Sequence, residues 1–286
     1  MAELDIFMES IENKSDATKK QYKTQYNKLF KLTGKPIAET SEKKILEILD
    51  NIDNINAEQA LLNIALLVRK LNKLSVTQLE NLREKNKKTL NKSIKEKNVN
   101  LKETLPSYED LIEYMNYLYD KEEYTDYIIN YLLINFQVRN QDLDFKIITR
   151  KRESLSDLTR NYMWLQPNKL TYIRNVYKTA RYINTEGNNS GYGQKINIIT
   201  EPKMISAFKK VLKYQKNNED AGTFIPNKSS IAYHLQKSTY KQLGEGKYVK
   251  IIINHFRNDI DKLKEISENR GTSLNIILQN YDIENI

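Results

Sequence analysis

The chain has no cysteine and only two histidines, His234 and His255, in 286 residues. Without cysteine there is no disulfide framework, thiol nucleophile, iron–sulfur cluster or thiolate zinc site. Two histidines are too few for a typical histidine-rich metal centre. Glycine is scarce, with eight in all and none between Gly34 and Gly187. Neither GxGxxG nor GxxxxGKS/T occurs, which excludes the dinucleotide and P-loop sites built on those patterns. No apolar run reaches the roughly 18 residues of a membrane-spanning helix. The start, MAELDIFMES, is acidic and does not read as a signal peptide. A soluble intracellular protein is expected.

What is present is basic and rich in tyrosine. Lys and Arg number 46 against 37 Asp and Glu, for a net charge of +9, and there are 19 tyrosines. The sequence pI is about 9.2 and the mean hydropathy −0.69. A hydrophobic content of 39% is enough for a core. A pI above 9 is a footprint of nucleic-acid binding. The abundance of Lys, Asn, Ile and Tyr is also what an AT-rich genome produces, so the surplus charge alone decides nothing.

Periodicity divides the chain. Ser15 and Asp16 cap a helix that stops at Gly34, before Pro36. Its Tyr22, Tyr26, Leu29 and Phe30 share one face. Ser41 opens a second helix. A third carries Leu61, Ile64, Ala65, Val68 and Leu71 on a broad apolar face. Ser75 and Gln78 have capping-box spacing and open a fourth. Residues 95–106 are charged, without apolar periodicity, and read as a linker. The expected organisation is a helical domain over 1–98, a linker over 99–106 and a second domain over 107–286. Ser107 and Asp110 start two further helices, the second apolar nearly all round. From about residue 160 the β-branched and aromatic run KLTYIRNVYKTARYI, the turn-like INTEGNNSGYG and QKINIIT predict a small sheet. Helices return after Pro202. The fold class is mainly α with a small antiparallel β-sheet, that is, α+β.

Metal and triad chemistries lack their parts, which leaves Arg, Lys and Tyr. Phosphoryl transfer runs on those alone. A tyrosine hydroxyl attacks a phosphodiester and conserves its bond energy in a phosphotyrosine link. Two arginines neutralise the non-bridging oxygens. A lysine protonates the leaving 5′ oxygen.

Four places in the second half resemble the tyrosine recombinases of the phage-integrase family, whose catalytic fold is shared with type IB topoisomerases. In INYLLINFQVRNQDLDF an apolar helix leads to Arg139, with Asp142 three residues on. Tyr177-Lys178-Thr179 resembles the hairpin that bears the family's lysine. YVKIIINHFRND resembles the helix of the second arginine, here Arg257, but Asn254 stands where the family has His or Lys. Asn donates a hydrogen bond yet relays no proton. His255 is one residue on, about 100° round the helix, and points elsewhere. Gly271-Thr272-Ser273 resembles the closing Gly-His-Ser motif, and Tyr281 follows Thr272 at the family's nine-residue offset. Thr272 stands in place of the usual His or Trp. The stretch from Arg257 to Gly271 is shorter than in most members.

The resemblance implies a core-binding domain over 1–98, a catalytic domain over 107–286, and a clamp of the two around duplex DNA. It implies Arg139, Lys178, Arg257 and Tyr281 as catalytic residues, with Asn254 and Thr272 as weakened auxiliary ligands. The partners implied are double-stranded DNA and further copies of the chain, as a tetramer on DNA. No cofactor or metal is implied. A viral or mobile-element origin suits the Tyr-Lys-Thr hairpin, so the location reads as cytoplasm, nucleus or viral factory. Three functions stay open: a site-specific recombinase or integrase working through a 3′-phosphotyrosine, a catalytically weakened DNA-binding or packaging protein, and a helical scaffold without a DNA role.

Overall fold

Ser15, Ser41 and Ser107 each accept a backbone N–H from the third residue after them, and each starts a helix. Ser107 and Asp110 complete a reciprocal capping box. The computed structural model describes residues 3–149, 157–177, 193–215, 222–225 and 231–283. They fall into two compact units, Met1–Ile94 and Lys95–Ile286.

The first unit contains α1 (Glu3–Ser10), α2 (Asp16–Thr33), α3 (Glu42–Asp50), α4 (Ile55–Leu71) and the start of α5 (Thr77–Lys102). Leu29, Ile45, Leu49, Leu61 and Leu79 meet in its core. Gly34 ends α2 with a left-handed φ of 68°, and its N–H closes on the Phe30 carbonyl. α1 was not anticipated. It is tied down by Glu3, whose carboxylate accepts from the Ile37 and Ala38 N–H groups and the Tyr26 hydroxyl.

Two local expectations change here. The start of α5 is not closed by Ser75 and Gln78. Instead Glu42, from α3, accepts from the N–H groups of Gln78 and Leu79, where the helix dipole favours a carboxylate. And α5 runs on through residues 95–102 of the expected linker. Its Lys and Glu residues favour helix, and no proline or glycine interrupts the sequence before Pro106.

The second unit continues with α6 (Tyr108–Asp120), α7 (Tyr124–Phe136), a 3-10 turn (Asn140–Leu143), β1 (Phe145–Ile148), β2 (Asn161–Leu165), β3 (Leu170–Arg174), β4 (Lys195–Ile199), α8 (Pro202–Gln215), α9 (Ile231–Ser238), a second 3-10 turn (Tyr240–Gln242), α10 (Glu245–His255), α11 (Ile260–Arg270) and α12 (Leu274–Tyr281). The unit is mainly helical with one four-stranded sheet in the order β1-β2-β3-β4. β2–β3 and β3–β4 are antiparallel as expected, while β1–β2 is parallel, with Phe145 opposite Asn161, so the sheet is mixed. α7 packs into the main core through Ile128, Leu132 and Leu133. A second cluster joins α10, α11 and α12 through Val249, Ile252, Ile253, Leu263, Ile266 and Ile277. Each of these side chains contributes about 1.5–3 kcal/mol on burial, which fixes the last helix, and therefore Tyr281, against its neighbours.

Candidate active site

Arg139 follows α7, whose last turn closes on Gln137 in the left-handed region at φ 44°. The chain then turns sharply. The Asp142 carboxylate accepts the Arg139 N–H at 2.9 Å, and Asp142 N–H donates to the Arg139 carbonyl at 2.9 Å. That fixes both residues. The Arg139 guanidinium is half-buried and has no hydrogen bond or ion pair with a described residue.

Around it stand charges from four other elements. Arg174, at the end of β3, is fully buried. It donates to Asn269 O at 3.1 Å and Asn197 Oδ1 at 3.0 Å, and lies 3.8 Å from Asp142 Oδ2. Lys195, which opens β4, donates to the carbonyls of Glu268 and, at 3.3 Å, Asn269. Both cations therefore use the carbonyl end of α11, the negative end of its dipole. That end is closed by Gly271 (φ 58°) with Gly271 N–H on Glu268 O and Thr272 N–H on Ser267 O, a Schellman pattern. Arg270 is 3% exposed. It donates to Gln137 O at 3.0 Å, Glu245 Oε1 at 2.9 Å and the Tyr281 hydroxyl at 3.3 Å. Glu245, first in α10, also accepts the Asn140 N–H at 2.8 Å.

The electrostatics follow from this crowding. Burial holds the Arg139 guanidinium below the usual arginine range, and the Arg270 charge lowers it further against Asp142, Glu245 and Tyr281. Burial also pulls Lys195 down to about 8, helped by Arg174 and Arg139. Asp142 is pushed above the usual carboxylate range by burial, opposed by the Arg139 N–H and by Arg174. Four cations thus surround two enclosed carboxylates, Asp142 and Glu245, with Glu268 exposed at the rim. Arg174, Lys195, Asn197, Glu268 and Asn269 line a cleft of about 410 Å³. The arrangement suits an oxyanion. Among the described residues, no group of three or more His, Asp or Glu converges on a metal position, and no helix is long and apolar enough to cross a membrane.

The sequence-predicted residues divide. Arg139 and Tyr281 come together, each beside Arg270. Thr272 lies directly after the Gly271 turn, nine residues before Tyr281. Lys178 and most of the turn after it lie outside the described residues. Asn254 and Arg257 sit at the other end of α10 from Glu245, ten residues from Glu245 to His255 along the helix. At about 1.5 Å per residue that is ~15 Å. Asn254 and His255 line a different cleft with Tyr108 and Glu109, where His255 stacks on Tyr108 at 4.3 Å and pairs with Glu109 at 3.5 Å. The hydrogen bonds and ion pairs among described residues link Arg257 to none of Arg139, Arg270 and Tyr281.

Arg174, Lys195, Glu245 and Arg270 were missed as site residues. Arg270 had a readable signal, since an arginine in the last turn before a C-terminal Gly is placed to meet carbonyls. Arg174 and Lys195 carried none, because only strand pairing brings Arg174 opposite Lys195.

Comparison with protein-family models gives no match, and comparison with curated proteins gives none either. Among solved structures, the chain is similar to one described as the crystal structure of XerA recombinase. The identity is 13%, the alignment covers 99% of this chain and 94% of that one, and the TM-score is 0.39.

Proposed function

We propose that the protein is a DNA-breaking and rejoining enzyme of the tyrosine-recombinase type, with Tyr281 as nucleophile. The observation that carries this reading is the placement of the Tyr281 hydroxyl against Arg270, beside an Arg139 guanidinium that has no hydrogen-bond acceptor among the described residues. The order of the resembling motifs along the chain supports it.

In this reading Arg139 holds a non-bridging oxygen of the scissile phosphate. Tyr281 Oη attacks phosphorus, its proton passes to solvent, and the bond to the 5′ oxygen breaks. Lys178 donates the proton that the leaving 5′ hydroxyl needs. A 5′ hydroxyl from another strand reverses the step and releases Tyr281, so no external energy source enters. Asn254 and Thr272 keep only the auxiliary roles that the resemblance implies, and Arg257, which the resemblance makes the second arginine, follows the end of α10 opposite Glu245. Exposed Lys85, Lys87, Lys88, Lys92, Lys95 and Lys97 of α5 supply sequence-independent phosphate contacts, each adding about 0.9 to the salt slope on duplex DNA.

A second reading rests on Glu245. Its carboxylate sits among the cations where a phosphate would bind, which suits a recombinase-like protein that binds DNA without cutting it. Nicked duplexes separate the two. A covalent protein–DNA adduct on a denaturing gel supports cleavage. Salt-dependent retention of DNA without any adduct supports the second reading. Absence of salt-dependent binding contradicts both.

A further inference from the structure

We propose that Arg270, oriented by Glu245, supplies the second guanidinium on the scissile phosphate. This rests on the cleavage reading above and assigns a residue within it.

The transition state of phosphoryl transfer spreads charge over two non-bridging oxygens of a diester, and one guanidinium faces one of them. Arg139 accounts for the first. The motif arginine, Arg257, lies two residues beyond the far end of α10, a helix that rises about 15 Å from Glu245 to His255. Arg270 is already in place. Its Nη2 serves both Glu245 Oε1 and the Tyr281 hydroxyl, and its Cζ is 5.3 Å from the centre of the Tyr281 ring. When Oη bonds to phosphorus, the N–H that had met Oη is left beside the new bond and within reach of a non-bridging oxygen.

The side chain is also preorganised. Gln137 O fixes Nη1, Glu245 fixes Nη2, and burial at 3% exposure prevents the guanidinium from swinging into solvent. Glu245 is held in turn by the Asn140 N–H, one residue after Arg139, so the two arginines are tied to one another through α10. Burial first and the Arg270 charge second lower the proton affinity of Arg139, and an anion between the two guanidiniums relieves the repulsion.

The test uses a substrate that no longer needs the charge. The cut phosphate is first located by sequencing adducts from a pool of nicked random-sequence duplexes. It is then replaced by a neutral methylphosphonate. Arg270→Ala is expected to slow adduct formation about 100-fold or more on the phosphodiester, the usual effect of one lost oxyanion donor, and by less than about threefold on the methylphosphonate. Arg257→Ala is expected to lose equally on both. Equal losses for Arg270→Ala, or selective rescue of Arg257→Ala, overturn the assignment. If Arg270→Ala melts, Arg270→Lys takes its place, because it keeps the charge but not the fork of donors. Its loss should be about tenfold on the phosphodiester and under about twofold on the methylphosphonate, and equal losses again overturn the proposal. Wild-type protein that forms no adduct on the pool removes the cleavage reading itself. An adduct without selective rescue removes only Arg270.

Discussion

The guanidinium of Arg270 donates to the hydroxyl of Tyr281 at 3.3 Å while lying over its ring at 5.3 Å. The contact joins the last residue of α11 to the last residue of α12. It depends on the short turn at Gly271–Ser273 and on the apolar seam beneath both helices.

Ile277 is the buried residue of α12, at 0% exposure. Ile277→Ala is expected to cost about 2–5 kcal/mol of stability, measured by urea unfolding. Because the same seam aims Tyr281, covalent adduct formation should fall at temperatures where the variant is still folded.

Asp142 is the only carboxylate within 4 Å of the fully buried Arg174 among the described residues, at 3.8 Å. Asp142→Ala leaves that guanidinium without a counter-charge and removes the acceptor of the Arg139 N–H. A loss of about 3–5 kcal/mol is expected. A change of under about 1 kcal/mol, the range of an exposed pair, would show that the carbonyls of α11 satisfy Arg174 alone.

Lys195 titrates from about 8 rather than its ordinary 10.5, chiefly through burial. Between those values the unfolded chain binds the proton and the folded chain does not. Stability therefore rises with pH across that window, by an amount that Lys195→Met removes. The same deprotonation takes a positive charge from the cleft. DNA affinity of the wild type should fall as pH rises through about 8, and that of Lys195→Met should change less over the same interval.

Lys241 and Gln242 both adopt left-handed φ, 49° and 55°, followed by Gly244 at 73°, just before Glu245 enters the site. An added Cβ at Gly244 meets nothing within 4 Å. A ψ of 169° places the residue in an extended positive-φ region essentially confined to glycine, so Gly244→Ala isolates a conformational cost of about 1–3 kcal/mol. Gln242→Gly is expected to stabilise by up to about 1 kcal/mol, read as a shift of the urea midpoint.

Local signals carried far in this chain. Ser15, Ser41 and Ser107 marked helix starts, Gly34 marked a stop, and the all-apolar α7 was recognisable as buried. What failed were features decided by distant partners. The start of α5 is closed by Glu42 of another helix. β1 is a four-residue strand whose parallel neighbour begins 16 residues after it starts, and no local pattern marks that pairing. α11 was not anticipated, since only Leu263 and Ile266 are buried apolar residues in it and so short an apolar pattern marks no helix. The candidate site mixes positions that the sequence marks with positions that it does not. Arg139 and Tyr281 stand at motif positions, whereas Arg270 and Glu245 reach them only because α10, α11 and α12 converge.

The most direct test is peptide mapping of the protein–DNA adduct formed on nicked duplexes. A phosphotyrosyl nucleotide is expected on the peptide containing Tyr281, attached through the 3′ side of the break, and should be lost in Tyr281→Phe. An adduct on any other residue, or one that survives Tyr281→Phe, would contradict Tyr281 as the nucleophile.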